Sequence, residues 1–176
     1  MRPSCAGRVR LLKTGAGLLL AALAGCVAPL APVAPRPPAF YASLASPGAR
    51  IDAADAAGLI NGYRRNLGLP DVRVDPALMA FAEHEAQALA ASGRVDATRA
   101  VPLATRLRSA GVAAPMALEN VSAGYHTMSD AFSGWRGSPK HDATLRLAPA
   151  TRMGIATAYD PASKYKVYWA LVLAGP

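Results

Sequence analysis

The end of the chain constrains the fold most. Arg152–Tyr159 (RMGIATAY) and Tyr165–Ala174 (YKVYWALVLA) are runs of strand-compatible residues, the second rich in β-branched and aromatic side chains. Asp160-Pro161-Ala162-Ser163-Lys164 between them is turn chemistry, so the two runs predict a hairpin. What precedes it reads mainly as helix. Asp52 is placed to cap a helix through Asn66, with Ala56, Leu59, Ile60, Tyr63 and Leu67 recurring at three-to-four spacing and Arg64 and Arg65 outward. Gly68-Leu69-Pro70 stops it. A second helix has Asp75 as N-cap, Pro76 at its first position and Gly93 as terminator, its apolar stripe interrupted by Glu85. A third is predicted over Pro102–Ala110 and a fourth from Ser129 to Gly137, with a further helical turn starting at Ser138-Pro139. Val72–Val74 and Glu119–Ser122 are too short to assign from pattern alone. Helices first and a hairpin last predict an α+β fold with an antiparallel sheet covered by helices, not a βαβ repeat.

The N-terminal portion has a different character. Four cations (Arg2, Arg8, Arg10 and Lys13) precede an apolar run that ends at Leu23-Ala24-Gly25-Cys26. This is the pattern of a secretory signal, too short for a membrane span. Its end resembles a bacterial lipobox, in which Cys26 becomes the acylated first residue and anchors the protein to a membrane. Residues 26–50 carry six prolines and no amphipathic period, which predicts an extended tether leading to a domain at residues 51–176. These features predict export and residence in the bacterial cell envelope. The formal charge of +8 falls to +4 once residues 1–25 are set aside, and no basic run interleaved with aromatics remains, which argues against nucleic acid as a partner. The two cysteines, Cys5 and Cys26, both precede the predicted domain, so it holds neither a disulfide framework nor a thiolate site.

The chemistry-bearing residues are few. There is no HExxH, no GxSxG elbow and no Gly-rich phosphate loop after a strand. The most individual segments are Glu119-Asn120-Val121-Ser122-Ala123-Gly124, where polar groups adjoin apolar ones, and Trp135 to His141. An imidazole at His141 facing a carboxylate at Glu119 would form a metal-binding or proton-transfer pair. His84 reads as a packing or surface residue of a helix, and His126, beside Gly124-Tyr125, as a loop residue.

Several short pieces occur in order: I-N-x-Y-R (Ile60 to Arg64), G-L-P (Gly68 to Pro70), D-P-x-L (Asp75 to Leu78), R-L-R-x-A-G (Arg106 to Gly111), E-N-V-x-A-G (Glu119 to Gly124) and W-x-x-S-P-x-H (Trp135 to His141). M-G-I-A (Met153 to Ala156) and a strand bearing Tyr168 and Trp169 follow. Together they resemble the bacterial CAP domain, also called the SCP-like extracellular domain, over about residues 55–173. The resemblance implies a three-layer α-β-α sandwich around a central antiparallel sheet, with a cleft lined by His and Glu that binds a divalent metal in some members. Carried over by motif, Glu119 and His141 line that cleft with Asn120 beside them, and Asp96 stands nearest the position of a further family His. On this reading the protein is a non-catalytic module that holds a small ligand, lipid or envelope polymer. The alternative it implies is a metal-assisted hydrolase of peptide or envelope glycan, with Glu119 as general base and His141 and Asp96 as ligands of Zn²⁺ or a similar ion.

Overall fold

The computed structural model describes residues 38–176; the expected signal sequence, Cys26 and the expected tether up to residue 37 lie outside the described residues. Its elements are a 3-10 turn (Ala39–Tyr41), α1 (Ala53–Asn66), β1 (Arg73–Val74), α2 (Pro76–Ser92), α3 (Leu103–Ser109), β2 (Ala117–Ala123), α4 (Met128–Arg136), α5 (Pro139–Leu145), β3 (Arg152–Tyr159) and β4 (Val167–Ala174). Among the described residues no helix is long and apolar enough to cross a membrane.

The caps form as their residue types dictate. Asp52 accepts from the N–H groups of Ala54 and Asp55, and Asp75 from those of Ala77 and Leu78. Gly93 closes α2 in the left-handed region at φ 66°. The sheet runs β1-β3-β4-β2. β3 and β2 both pair antiparallel to β4, as the hairpin predicts. The short edge strand β1 departs from that expectation by pairing parallel to β3, Arg73 against Arg152 and Val74 against Met153. Parallel entry needs a long crossover, which the 77 residues from Asp75 to Arg152 supply, together with a bond from the Arg152 guanidinium to the Asp75 carboxylate.

β4 is buried along all eight residues because both of its faces are covered. Val167, Trp169, Leu171 and Leu173 join α1, α4 and α5 in one cluster. Tyr168, Ala170, Val172 and Ala174 meet α2 and α3 on the other side. That is the three-layer sandwich, and it explains why this strand reads as a continuous apolar run instead of an alternation. The α2 side is packed closest, with small residues opposed: Ala82 and Ala86 on the helix, Gly154 and Ala156 on β3. A Cβ on Gly154 would overlap the Leu78 carbonyl and the Met79 nitrogen, so only glycine lets the backbones approach this far.

Two expectations are corrected here. Arg64 is not outward but completely buried, donating from Nε to the Pro70 carbonyl and from its terminal nitrogens to Leu145, Leu147 and Ala150. One guanidinium thereby satisfies four carbonyls, one in the loop after α1, one at the last residue of α5 and two in the loop that follows it. Its neighbour Asn61 both donates to and accepts from the Val72 backbone, at 2.9 and 2.8 Å, fixing β1 to α1. The domain also begins before Ile51. Leu44 is buried and donates its N–H to the His126 carbonyl at 2.7 Å, and Phe40, Ala45 and Ala49 pack on the α1–α4–α5 cluster. Proline-rich spacing removes regular structure but does not stop the intervening apolar side chains from burying.

Candidate functional site

Strand β2 carries the segment singled out from sequence, and its alternation sends neighbouring side chains to opposite faces. Val121 packs with α2. Glu119, two residues earlier, projects the same way, towards α2 and α3. Asn120 and Ser122 project the other way. The Asn120 amide donates to the His141 carbonyl at 2.9 Å, and Ser122 Oγ accepts from Trp135 Nε1 at 3.1 Å.

The Glu119 carboxylate is held by an arginine. Arg106, on α3, donates from Nη2 to Glu119 Oε1 and from Nη1 to Glu85 Oε2, both at 2.5 Å, and from Nε to the Val101 carbonyl at 3.0 Å. The three side chains are 15, 11 and 4% exposed for Glu119, Arg106 and Glu85. This explains why Glu85 interrupts the apolar stripe of α2: it faces inward because an internal cation meets it. The group has two carboxylates and one guanidinium, so it carries a net charge of −1. Sequence reasoning missed it. Its signal was present in two places, an acid on an apolar helix face and an arginine just before Leu107.

Glu119 and His141 are brought to the same stretch of β2, but through backbone: besides the Asn120 bond, the Thr144 hydroxyl donates to the Glu119 carbonyl at 3.3 Å. Among the described residues no hydrogen bond or ion pair joins the two side chains. His141 is half-buried on α5, and its pKa is lowered first by burial and then by the positive charges of Arg99 and Lys140. Asp96 does not join either of them. It is exposed and grips Arg94 through two bonds, at 3.0 and 3.1 Å, and that arginine lowers its pKa. Among the described residues no three His, Cys, Asp or Glu side chains gather as a ligand set. Asp96, Glu119 and His141 therefore do not fit a divalent cation jointly, and the positive charge between the inner carboxylates is a guanidinium.

Beside this ion-paired group lies a cavity of about 660 Å³ between α2, α3 and the 97–101 loop. Its wall is mostly apolar (Ala77, Ala80, Phe81 and Val101), with Glu85 and Arg106 as charged residues. Arg106 also lies 5.7 Å from the Phe81 ring centre, within cation–π range. Thr98 Oγ1, which also belongs to the cavity wall, is buried with no hydrogen-bond partner, as are Glu119 Oε2 and Asn120 Oδ1.

The sequence profile of the Cysteine-rich secretory protein family, CAP, matches residues 57–173. No curated protein matches the chain. Among solved structures, the fold is similar to an outer surface protein of Borrelia burgdorferi (TM-score 0.63, 16% identity, 73% of this chain and 98% of that one). It is similar also to an SCP-domain extracellular protein of Bacillus anthracis (0.59, 20%, 70% and 40%) and to a cysteine-rich secretory protein of Staphylococcus aureus (0.54, 17%, 70% and 38%). The chain spans about two fifths of the length of the latter two proteins. With the profile covering well over half of its residues, this chain belongs to the CAP family of cysteine-rich secretory proteins.

Proposed function

We propose that this is an exported, envelope-anchored CAP domain that binds a small amphipathic molecule and performs no chemistry on it. The observation that carries this reading is the Arg106 bridge. A general base must be free to take a proton from a reacting group, whereas Glu119 Oε1 is tied to a guanidinium at 2.5 Å and its Oε2, though unpartnered, is buried out of reach of solvent. The hydrolase reading would need that carboxylate released and Asp96 withdrawn from Arg94. What remains is a hollow with an apolar wall and a polar end, the usual make-up of a site for a small molecule. An acyl chain or fused-ring body fits against Ala80, Phe81 and Val101. The net −1 of the Glu85–Arg106–Glu119 group favours a neutral or cationic head over a carboxylate.

The lipobox-like Cys26 supports anchoring, and the extracellular and outer-surface descriptions of the structural neighbours support export. The test is titration of the protein with 1-decanol, decylammonium and decanoate, following the melting temperature. The first two should stabilise saturably and decanoate should not. Ala80→Trp, at an exposed wall position, should abolish the effect without lowering the unliganded melting temperature. Stabilisation that survives Ala80→Trp, or none with any of the three, would overturn the reading.

A further inference from the structure

We propose that the open edge of β3 is a strand-addition site for an extended peptide from a partner protein. This inference is independent of the cavity beside Arg106. The pairing register determines which backbone groups face outward. Asp160 N–H donates to Lys166 O across the hairpin, so the even-numbered residues of β3 bond to β4. The odd-numbered ones point the other way: the Met153 carbonyl accepts from Asp75 N–H of the β1 side, and Ile155 N–H reaches only Met79 Sδ at 3.3 Å. β1 ends at Val74, opposite Met153. Beyond it the N–H and C=O groups of Thr157 and Tyr159 have no backbone partner among the described residues.

Such an edge is normally blunted by charge, proline or a bulge. Here Ile155-Ala156-Thr157-Ala158-Tyr159 carries none of these, and the first proline is Pro161. The edge forms the floor of a groove of about 670 Å³. One wall is α2, through Met79, Glu83 and Gln87; the other is residues 47–51, which belong to the opposite layer of the sandwich. A strand laid there continues the sheet between the two layers, over about 17 Å for five residues.

Charge indicates the guest's pattern. Glu83 on the α2 wall and Arg50 on the other are exposed, and neither has an ion-pair partner among the described residues. Because strand side chains alternate, a guest with a basic residue next to an acidic one places the first at Glu83 and the second at Arg50.

The test uses the full chain and the peptide acetyl-TVKEVT-amide, read by amide NMR and hydrogen exchange. In the free protein the Thr157 and Tyr159 amides should exchange fast. Added peptide should shift and protect these two amides. N-methylation of the peptide's inward-facing amides should weaken binding about tenfold. Glu83→Lys and Arg50→Glu, both at exposed positions, should each weaken it about threefold. Equal binding of the N-methylated peptide, no shift at millimolar peptide, or Thr157 and Tyr159 amides already protected in the free protein would overturn the proposal.

Discussion

Removing the Arg106 guanidinium is the sharpest perturbation available, because it separates the worth of the ion-paired group from that of the fold around it. In Arg106→Met, Glu85, only 4% exposed, and Glu119 lose their shared cation while the methionine still fills the space beside Phe81. Two strong hydrogen bonds vanish, along with the bond to the Val101 carbonyl that ties the 97–101 loop to α3. Stripping one partner from a buried ion pair costs about 3–5 kcal/mol, mainly for the charge left without compensation. A domain of this size has about 5–15 kcal/mol in total. Arg106→Met should therefore remain folded in the cold but unfold at markedly lower urea, with the slope against urea unchanged. The triple variant Glu85→Gln/Arg106→Met/Glu119→Gln removes the stranded charges as well and should regain most of the loss. A loss below about 1 kcal/mol, or a triple variant no more stable than the single one, would refute the claim that this arginine is the internal counter-ion of the site.

Two other outcomes follow from the same structure. Gly154→Ala should cost about 3 kcal/mol or more in urea unfolding, because its Cβ meets helix backbone that cannot swing aside; a change near zero would mean that α2 sits farther from β3 than described. The lowered pKa of His141 gives the folded state fewer bound protons than the unfolded chain just below pH 6.5. Its contribution is thus complete above that pH and is lost as pH falls, so melting curves of the protein and of His141→Gln should converge on acidification from pH 7 to pH 5; parallel curves would show that burial and the charges of Arg99 and Lys140 do not act on this imidazole.

What the sequence revealed and what it concealed divide along one physical line. Features decided within a few residues were legible: both aspartate caps, the glycine ending α2, and the span of β3. Features decided by a partner far along the chain were not. Arg64 follows Tyr63 on α1 and reads as a solvent-facing charge until the carbonyls of Leu145, Leu147 and Ala150 arrive more than 80 residues later. β1 is two residues long and becomes a strand only because β3 offers it an edge. The surroundings of the candidate site were hidden in the same way. The motifs assigned Glu119 and His141 to one cleft, but the direction of the Glu119 side chain is set by alternation along β2 and by Arg106, which no spacing rule links to it. Residues Phe40 and Leu44 were concealed for a different reason, being dispersed among prolines that suggest an extended chain.

The sheet order β1-β3-β4-β2 separates the two proposed binding features of the molecule. The ion-paired cavity borders the β2 side and the open backbone edge belongs to β3, with β4 between them. β4 is buried on both faces and hydrogen-bonded on both edges, the most constrained element in the fold. α2 spans both features, since Phe81 and Glu85 line the cavity while Met79, Glu83 and Gln87 wall the groove. Coupling between the two would have to pass through a shift of α2 on β3. The overlap that any side chain at position 154 would cause shows how little room that helix has to move inward. An element without a second arrangement cannot carry a population shift. If both proposed features bind, occupying one should therefore leave the affinity of the other unchanged.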